Sequence, residues 1–419
     1  MPRMASASAL SQVTSSQKRV LIAAALGWML DAFDTMLYAL VLSHLMRDLG
    51  MSKATSGFLY TLTLLASGVG GVLFGWIADR IGRKRALMFS ILTYSVCSFA
   101  SGLATSVLML AVFRFLLGLG MGGEWNTGAT LVAETWPDGL RAKAISIVQS
   151  SWAIGYALAA LVAGIGLRYA QWRMVFFVGI LPALLAFWVQ KSVPESEMWR
   201  KHRLAAGAPG HARSSSPGLG QLFRHPYVKP VFALLLVNFF GLFAWWGLFT
   251  WVPPYLSLPV DQGGRGFSLM GSTTLLLALN LLGMFPGYLS FGWVADRLGR
   301  RASFVTYTLL AAILVPFYAA ARQPWALLTL GVLTAFFGTG FFSGSGILGS
   351  ELFPTSVRAR ALGITYNGAR ALSSVAPLVI GRVGQAKGLD WAFYLCAASF
   401  LLTAAVATQL PETIGKELE

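Results

Sequence analysis

Long apolar stretches separated by short polar connections dominate the chain. Each stretch has about the length that a helix needs to cross the hydrocarbon core of a bilayer, roughly 20 residues. Backbone groups in lipid must be hydrogen-bonded within their own segment, so these stretches are predicted to be helices. The pattern predicts twelve spans, at 21–46, 54–79, 86–105, 107–134, 144–167, 173–191, 230–256, 269–295, 303–321, 325–352, 359–382 and 390–409.

Composition supports an all-α membrane protein. Of the 419 residues, 56% are hydrophobic and 11% are charged, whereas a typical soluble domain has about 25% charged residues. The two cysteines, Cys97 and Cys396, lie in apolar stretches without metal-ligand spacing. The sequence contains no recognisable phosphate-binding loop or nucleophile triad, so we expect neither an enzyme nor ATP-driven transport.

The net charge of +16 comes from basic residues in the connections between spans. This placement favours contact with lipid headgroups over nucleic-acid binding. Of the 32 Lys and Arg residues, 22 fall on the side of the termini and 8 on the other side, while Arg114 and Arg370 lie within spans. The positive-inside rule therefore predicts an inner-membrane protein with both termini in the cytoplasm.

The spans group into two halves. We predict a cytoplasmic tail at 1–20, a six-helix bundle at 21–191, a cytoplasmic linker at 192–229, a second six-helix bundle at 230–409 and a tail at 410–419. The linker is rich in Ser, Gly, Pro, Arg and His, and a surface helix is expected near Glu195 to Arg203.

An internal repeat with an offset of 217 residues relates the halves. The sequence from Gly75 to Arg83 recurs from Gly292 to Arg300, and the Glu134 motif recurs at Glu351. Pro194-Glu195-Ser196 recurs as Pro411-Glu412-Thr413. Three motifs with one offset indicate a duplicated six-helix unit.

The repeated loop, G-x-x-A-D-R-x-G-R-[KR], resembles the best-known motif of the major facilitator superfamily. The glycine run that follows Arg114 in the fourth span is similar to a second motif of that family. The resemblance implies two pseudo-symmetric bundles with a substrate site between them near the bilayer midplane. A narrower resemblance is carried by the segments Leu30–Asp34, Gly122–Trp125, Glu134–Pro137 and Trp172–Pro182. It points to the metabolite–proton symporters that carry sialic acid, lactate or aromatic acids.

Five ionisable residues lie at membrane depth, and such residues are candidates for function because burying them in lipid is costly. None of their repeat partners is charged, so the scaffold is duplicated while the charges are not. The five are Asp31, Asp34, Arg114, Glu124 and Arg370.

Asp31 and Asp34 share one helix face at i and i+3. Two close carboxylates in a low dielectric do not both ionise easily, which suits a proton carrier. The family resemblance favours Asp34 as the proton carrier, with Arg114 tuning it. The alternative for these residues is an ion pair with Arg114 that only holds the first and fourth spans together. Glu124, in the fourth span, either assists proton release or makes a packing contact.

Arg370 offers a planar guanidinium that matches a carboxylate. It either binds the substrate's carboxylate or forms a permanent salt bridge with one of the three buried acids. The interior holds three acids and two arginines. Binding of a monocarboxylate raises the number of acidic groups there from three to four, and uptake of protons with the substrate moves the site back towards neutrality. This argument favours symport.

Further polar and aromatic residues are candidates for the cavity wall, since such cavities combine aromatic walls with a few directed polar groups. Helix packing is the alternative for each of them. They are Trp28, Tyr38, Gln149, Trp152, Tyr156, Asn238, Trp245, Asn280, Tyr366 and Asn367.

The repeated loop motifs are the candidate gate, and a signal for topology alone is the alternative. In the family, the acid of each motif braces a neighbouring helix end and its arginines contact adjacent acids. The residues are Asp79, Arg80, Arg83, Glu134 and Arg141, with Asp296, Arg297, Arg300, Glu351 and Arg358.

These observations predict a secondary transporter that takes up a small organic acid anion with protons by alternating access. The expected partners are the organic acid, protons and the lipid bilayer, and the chain is expected to be monomeric. No cofactor is expected, because the proton gradient would supply the driving force. The alternatives are a proton-coupled carrier of sugars or drugs in which Arg370 is structural, and a membrane sensor built on a transporter scaffold.

Overall fold

A computed structural model of the chain describes residues 13–169, 171–197, 199–200, 222–353, 361 and 363–413. Every regular element among these residues is helical. The first half contains α1 (Ser15–Asp48), α2 (Lys53–Ile81), α3 (Arg83–Ser101), α4 (Val107–Thr135), α5 (Asp138–Tyr169) and α6, which consists of Trp172–Phe177, a 3-10 turn at Val178–Ile180 and Pro182–Ser192.

The second half repeats this order. It contains α7 (Val228–Ser257), α8 (Leu269–Ala278, a π-helical turn at Leu279–Met284 and Phe285–Leu298), α9 (Arg300–Ala320), α10 (Pro324–Leu352), α11 (a π-helical turn at Gly363–Gly368, then Ala369–Ser373 and Ala376–Lys387) and α12 (Leu389–Ala407). A short 3-10 turn at Val260–Gln262 lies between α7 and α8.

Ten of these helices are long and apolar enough to cross a membrane. The other two are α3, which starts with three consecutive basic residues, and α11, which is interrupted. The arrangement confirms the predicted fold class of an all-α membrane protein with twelve helices. The predicted linker helix is present at Glu197, Trp199 and Arg200, and residues 201–203 lie outside the described part.

Polar caps and glycine turns set the helix ends. Thr14 forms a capping box with Gln17, so α1 begins before the predicted residue 21. Ser52, Ser106 and Ser268 cap α2, α4 and α8. Gly82 and Gly299 have φ of 105° and 95°, which favour glycine, and they make the same tight turn in each half.

Glycines also allow helix backbones to touch within each half. A Cβ on Gly70 would collide with the carbonyl oxygen of Leu119, and a Cβ on Gly287 would collide with that of Phe336. These two pairs are related by the 217-residue offset, so the repeat extends from sequence to helix packing. Gly122 of α4 contacts the Ser67 carbonyl of α2 in the same manner, as expected for small residues between membrane helices.

The halves meet closely on the side opposite the termini. Lys53 at the start of α2 donates from Nζ to the carbonyl oxygens of Gln262 (2.6 Å) and Gly384 (3.4 Å) in the second half. The Ala54 amide donates to Gln385 Oε1 at 3.2 Å. The backbone of Gly57 in α2 approaches that of Pro377 in α11. These contacts close that side of the interface between the halves.

The packing of α2 on α4 should not tolerate a methyl group at Gly122. We expect Gly122→Ala to cost about 1–3 kcal/mol in the free energy of unfolding, because the added Cβ overlaps the Ser67 carbonyl. Thermal unfolding of the purified protein in detergent measures the effect. Gly292→Ala is the matched control, since a Cβ there meets nothing within 4 Å. Equal unfolding midpoints for the two variants would contradict the packing account.

Lys53 should hold the halves together on the side opposite the termini. We expect Lys53→Met to increase the population open on that side about fivefold, which corresponds to the loss of about 1 kcal/mol of hydrogen bonding. Spin labels at Arg47→Cys and Asp261→Cys, in a chain with Cys97 and Cys396 replaced by serine, report the separation by pulsed electron resonance. Lys387→Met is the control. If Lys53→Met left the distribution of spin-label distances unchanged, Lys53 would not hold the halves together.

Candidate functional site

A small cavity of about 20 Å³ lies between the halves. Its walls come from α1 and α5 of the first half and from α7, α8, α10 and α11 of the second. The lining residues are Trp28, Gln149, Trp152, Leu242, Trp245, Trp246, Tyr288, Phe342, Tyr366 and Arg370. The volume is that of about one water molecule, so any larger occupant requires the walls to separate.

Four tryptophans make most of the wall. The ring centroids of Trp28 and Trp152 lie 4.7 Å apart, as do those of Trp245 and Trp246. Trp152 contacts both members of the second pair at 6.0 Å, so the cluster spans the two halves. Trp245 Nε1 donates to Thr339 Oγ1 at 3.1 Å, which fixes its ring against α10.

Arg370 provides the charge on this wall. Its side chain is 5% exposed, and its Nε and Nη2 atoms have no hydrogen-bond partner among the described residues. No described carboxylate oxygen lies within 4 Å of its guanidinium. The π-helical turn of Gly363–Gly368 precedes it and rotates the following residues relative to a regular helix. The structure therefore places at the interface between the halves an arginine that forms no ion pair with any residue of the described ranges.

Asp31 and Asp34 of α1 are both fully buried but face different surroundings. Asp34 Oδ1 accepts a hydrogen bond from Ser98 Oγ of α3 at 2.9 Å. Gly179 in the 3-10 turn of α6 leaves room for both groups, since a Cβ there would meet Ser98 Oγ and Asp34 Oδ1. Asp34 thus lies inside the first half, whereas Asp31 interacts electrostatically with Arg370 across the interface.

Glu124 of α4 is the third buried acid. It is 1% exposed and interacts electrostatically with both Asp31 and Arg370. Gly27 on α1 makes space for its carboxylate, because a Cβ at that position would overlap Glu124 Oε1. Glu124 and Asp31 are thus buried acids of the first half, and Arg370 is a buried base of the second half.

Arg114 lies deeper in the first half. Its guanidinium carbon is 4.9 Å from the centroid of the Tyr38 ring, and the Tyr38 hydroxyl donates to the Ser56 carbonyl at 3.0 Å. No described carboxylate is within 4 Å of Arg114, although it interacts electrostatically with Asp34. The alternative of a tight ion pair between the first and fourth spans is not seen in this conformation.

Several predicted wall residues lie outside the cavity lining. Asn238 Nδ2 donates to the Thr365 carbonyl at 3.1 Å, and its Oδ1 accepts from Ser345 Oγ at 2.7 Å, so it joins α7 to α10 and α11. The Tyr156 hydroxyl donates to the Phe249 carbonyl at 3.2 Å. Asn280 donates to Leu276 within α8, and Asn367 lies in the π-helical turn of α11.

Four lining residues were not predicted from the sequence: Leu242, Trp246, Tyr288 and Phe342. Trp246 adjoins the predicted Trp245 and could have been included with it. Tyr288 follows the π-helical turn of α8, so its direction could not be read from regular helical periodicity.

The predicted gate residues form matching ion pairs on the side of the termini. Arg83 pairs with Glu134 at 3.3 Å, and Arg300 pairs with Glu351 at 3.1 Å. Arg300 also pairs with Asp296, and the guanidinium groups of Arg80 and Arg297 stack on Trp76 and Trp293. The side chains of Asp79 and Arg141, and residue Arg358, lie outside the described part.

Two carboxylates that were not among the predicted gate residues contact the same motifs. Glu195 accepts the backbone amide of Arg83 at 2.9 Å, and Glu412 accepts that of Arg300 at 2.7 Å. Each carboxylate thereby caps the first turn of α3 or α9, where a negative charge is favourable. The sequence signal that could have identified both residues is that Glu195 recurs as Glu412 at the 217-residue offset.

Two known transporters are similar to this chain over almost its whole length. The niacin transporter NiaP of Acinetobacter baylyi is 31% identical, with 94% of each chain covered. The sialic acid transporter NanX of Escherichia coli is 32% identical, with 97% of each chain covered. The fold is similar to the partially occluded inward-open conformation of the xylose transporter XylE from E. coli, with a TM-score of 0.77, 19% identity and coverage of 97% of this chain and 100% of that one.

A family model matches both halves of the chain. The matched residues are 24–285 and 267–416, and the model describes the Major Facilitator Superfamily. Together with the twelve-helix fold, this match covers nearly the whole sequence. The chain is therefore a multi-pass membrane transporter, not an enzyme, and belongs to the Major Facilitator Superfamily.

Proposed function

We propose that the protein is a proton-coupled symporter that takes up a small organic acid anion by alternating access. The observation that carries this proposal is Arg370, a buried guanidinium on the wall of the cavity between the halves, with no described carboxylate within 4 Å. A buried charge is stable only when it is paired or hydrated. A substrate carboxylate that enters the cavity would provide the missing partner.

The remainder of the cavity wall suits the body of an unsaturated or ring-shaped acid. Tryptophan rings offer broad apolar contact, and four of them line the same cavity as the guanidinium. Niacin and sialic acid, named for the two similar transporters, are both carboxylic acids. This agreement supports an acid as the substrate class.

Coupling to protons follows from competition for Arg370. In the empty carrier, the positive guanidinium would favour the ionised forms of Asp31 and Glu124, against the burial of both acids. Once a substrate carboxylate binds the guanidinium, these two acids lose that compensation, and protonation becomes more favourable for them. Substrate and proton would then bind together, and the proton gradient would drive uptake without a cofactor.

Alternating access would work by separating the halves on one side at a time. Contacts between the halves close the side opposite the termini, whereas the ion pairs described on the side of the termini stay within one half. With the termini in the cytoplasm, as the loop charges predict, the carrier would open its site to the cytoplasm from this state. The gate residues would then stabilise the shape of each half rather than tie the two together.

The alternative is a proton-coupled carrier of sugars or drugs in which Arg370 is structural. That role predicts a direct ion pair between Arg370 and one of the buried acids. The described residues contain none within 4 Å. The similarity to the xylose transporter shows the fold alone.

Replacement of Arg370 tests the anchor. We expect Arg370→Gln to raise the KM for the acid by about 10- to 100-fold, because a charged hydrogen bond contributes about 1.5–3 kcal/mol. Arg370→Lys, which keeps the charge but not the planar fork, should give an intermediate value. Uptake into proteoliposomes is measured with nicotinate, sialate, lactate and benzoate. Arg382→Gln, at an exposed position on the same helix, is the control. An unchanged KM would remove Arg370 from the substrate site.

Replacement of Asp31 tests the coupling. In wild-type proteoliposomes, a pH gradient with the acidic side outside should drive accumulation of the organic acid inside the vesicles above its external concentration. We expect Asp31→Asn to lower accumulation while keeping exchange of labelled for unlabelled substrate, because an asparagine at that position cannot take up a proton and only Glu124 of the two acids could still do so. Asp261→Asn, exposed on a connection, should accumulate normally. Flux that ignores the gradient in the wild type, or full accumulation by Asp31→Asn, would refute the assignment.

A further inference from the structure

We propose that a cationic cavity at the side of the termini binds the phosphate group of an anionic phospholipid. This cavity has a volume of about 330 Å³ and lies where the start of α3, the end of α6 and the segment after α6 meet. Lys84, Arg85 and Arg200 line it, together with Gln190, Glu195 and Trp199. It is separate from the cavity between the halves.

The local charges favour an anion. Three basic side chains face one carboxylate, that of Glu195. This carboxylate already accepts the backbone amides of Arg83, Lys84 and Ser196 at 2.9, 3.3 and 3.0 Å. Its charge is therefore held by the first turn of α3. Lys84 Nζ donates to the Gln190 carbonyl at 2.6 Å, which fixes the ammonium at the wall between α3 and α6.

The cationic cluster belongs to the first half alone. Lys84 and Glu195 have the repeat partners Arg301 and Glu412, which preserve the capping arrangement. Arg85, Trp199 and Arg200 correspond to Ala302, Lys416 and Glu417, so the sequence of the second half has neither both arginines nor the tryptophan. A feature needed for the fold would be expected in both copies. The additional residues of the first half therefore indicate a separate role.

The surroundings of the cavity favour a lipid as the source of the phosphate. Phe89 lies one turn from Arg85 on α3, and Phe187 lies about one turn from Gln190 on α6. These two aromatic side chains are 54% and 64% exposed, as expected for residues that face acyl chains. Trp199 adds an aromatic ring of the kind that sits at the headgroup level of a bilayer. A headgroup in the cavity would thus have its acyl chains along α3 and α6.

Binding can be measured on the full-length protein in detergent, with retained lipids counted by native mass spectrometry during titration with phosphatidylglycerol and phosphatidylcholine. We expect clear preference for phosphatidylglycerol. The double variant Arg85→Gln with Arg200→Gln should weaken the binding of phosphatidylglycerol by about 25-fold. Each basic residue near an anionic lipid contributes about fivefold, and two are removed. The variant Arg85→Lys with Arg200→Lys should retain most of the affinity, which separates loss of charge from loss of folding.

The matched control removes the same charge from the same side of the protein. Arg224→Gln with Arg301→Gln should change phosphatidylglycerol binding by less than about twofold. Equal weakening by this control would show unspecific attraction to the basic side and overturn the proposal. Displacement of the lipid by inorganic phosphate at similar concentrations would identify an anion site without lipid recognition and would overturn it too. Equal binding of the two lipids would have the same consequence.

Discussion

Arg370 is a buried base of the second half, Asp31 and Glu124 are buried acids of the first half, and the proposed transport mechanism depends on how these charges interact. Ionisable groups at membrane depth cost several kcal/mol when they are unpaired. Arg370 interacts with Asp31 and Glu124 only at a distance, since no ion pair forms within 4 Å. In the proposed mechanism, a substrate anion could enter this arrangement because none of the three groups forms a tight pair with another.

The scaffold that holds these charges is duplicated, and the charges are not. The close backbone contacts of Gly70 and Gly287, and the capping carboxylates of Glu195 and Glu412, recur at one offset. Each half therefore has the same internal bracing and can keep its shape while the interface changes. The buried acids lie in the first half and Arg370 in the second, so any movement between the halves changes the distance between opposite charges.

Much of this architecture follows from the sequence because a membrane allows few solutions. Length and apolarity predicted the twelve helices, and the offset predicted matching motifs in the two halves. The offset did not predict the partners: Glu134 and Glu351 were expected to pair with Arg141 and Arg358, whereas the structure pairs them with Arg83 and Arg300. The breaks in α6, α8 and α11 were not predicted, because they depend on neighbours. Gly179, for example, lies in the break of α6, where a side chain would meet Ser98 and Asp34. The role of Asn238 could not be predicted either, because an asparagine within a span can contact a substrate or another helix. In the structure it is hydrogen-bonded to Thr365 and Ser345.

Polar contacts between the halves differ in kind from those within each half. Within the halves, ion pairs such as Arg300 with Glu351 join side chains that are largely shielded from solvent. Between the halves, Lys53 donates to backbone carbonyls at an exposed edge, where water can replace the lost hydrogen bonds. Opening on that side therefore leaves these particular groups hydrated rather than unpaired. If the proposed substrate carboxylate binds Arg370, the free energy of that contact would favour whichever state makes it.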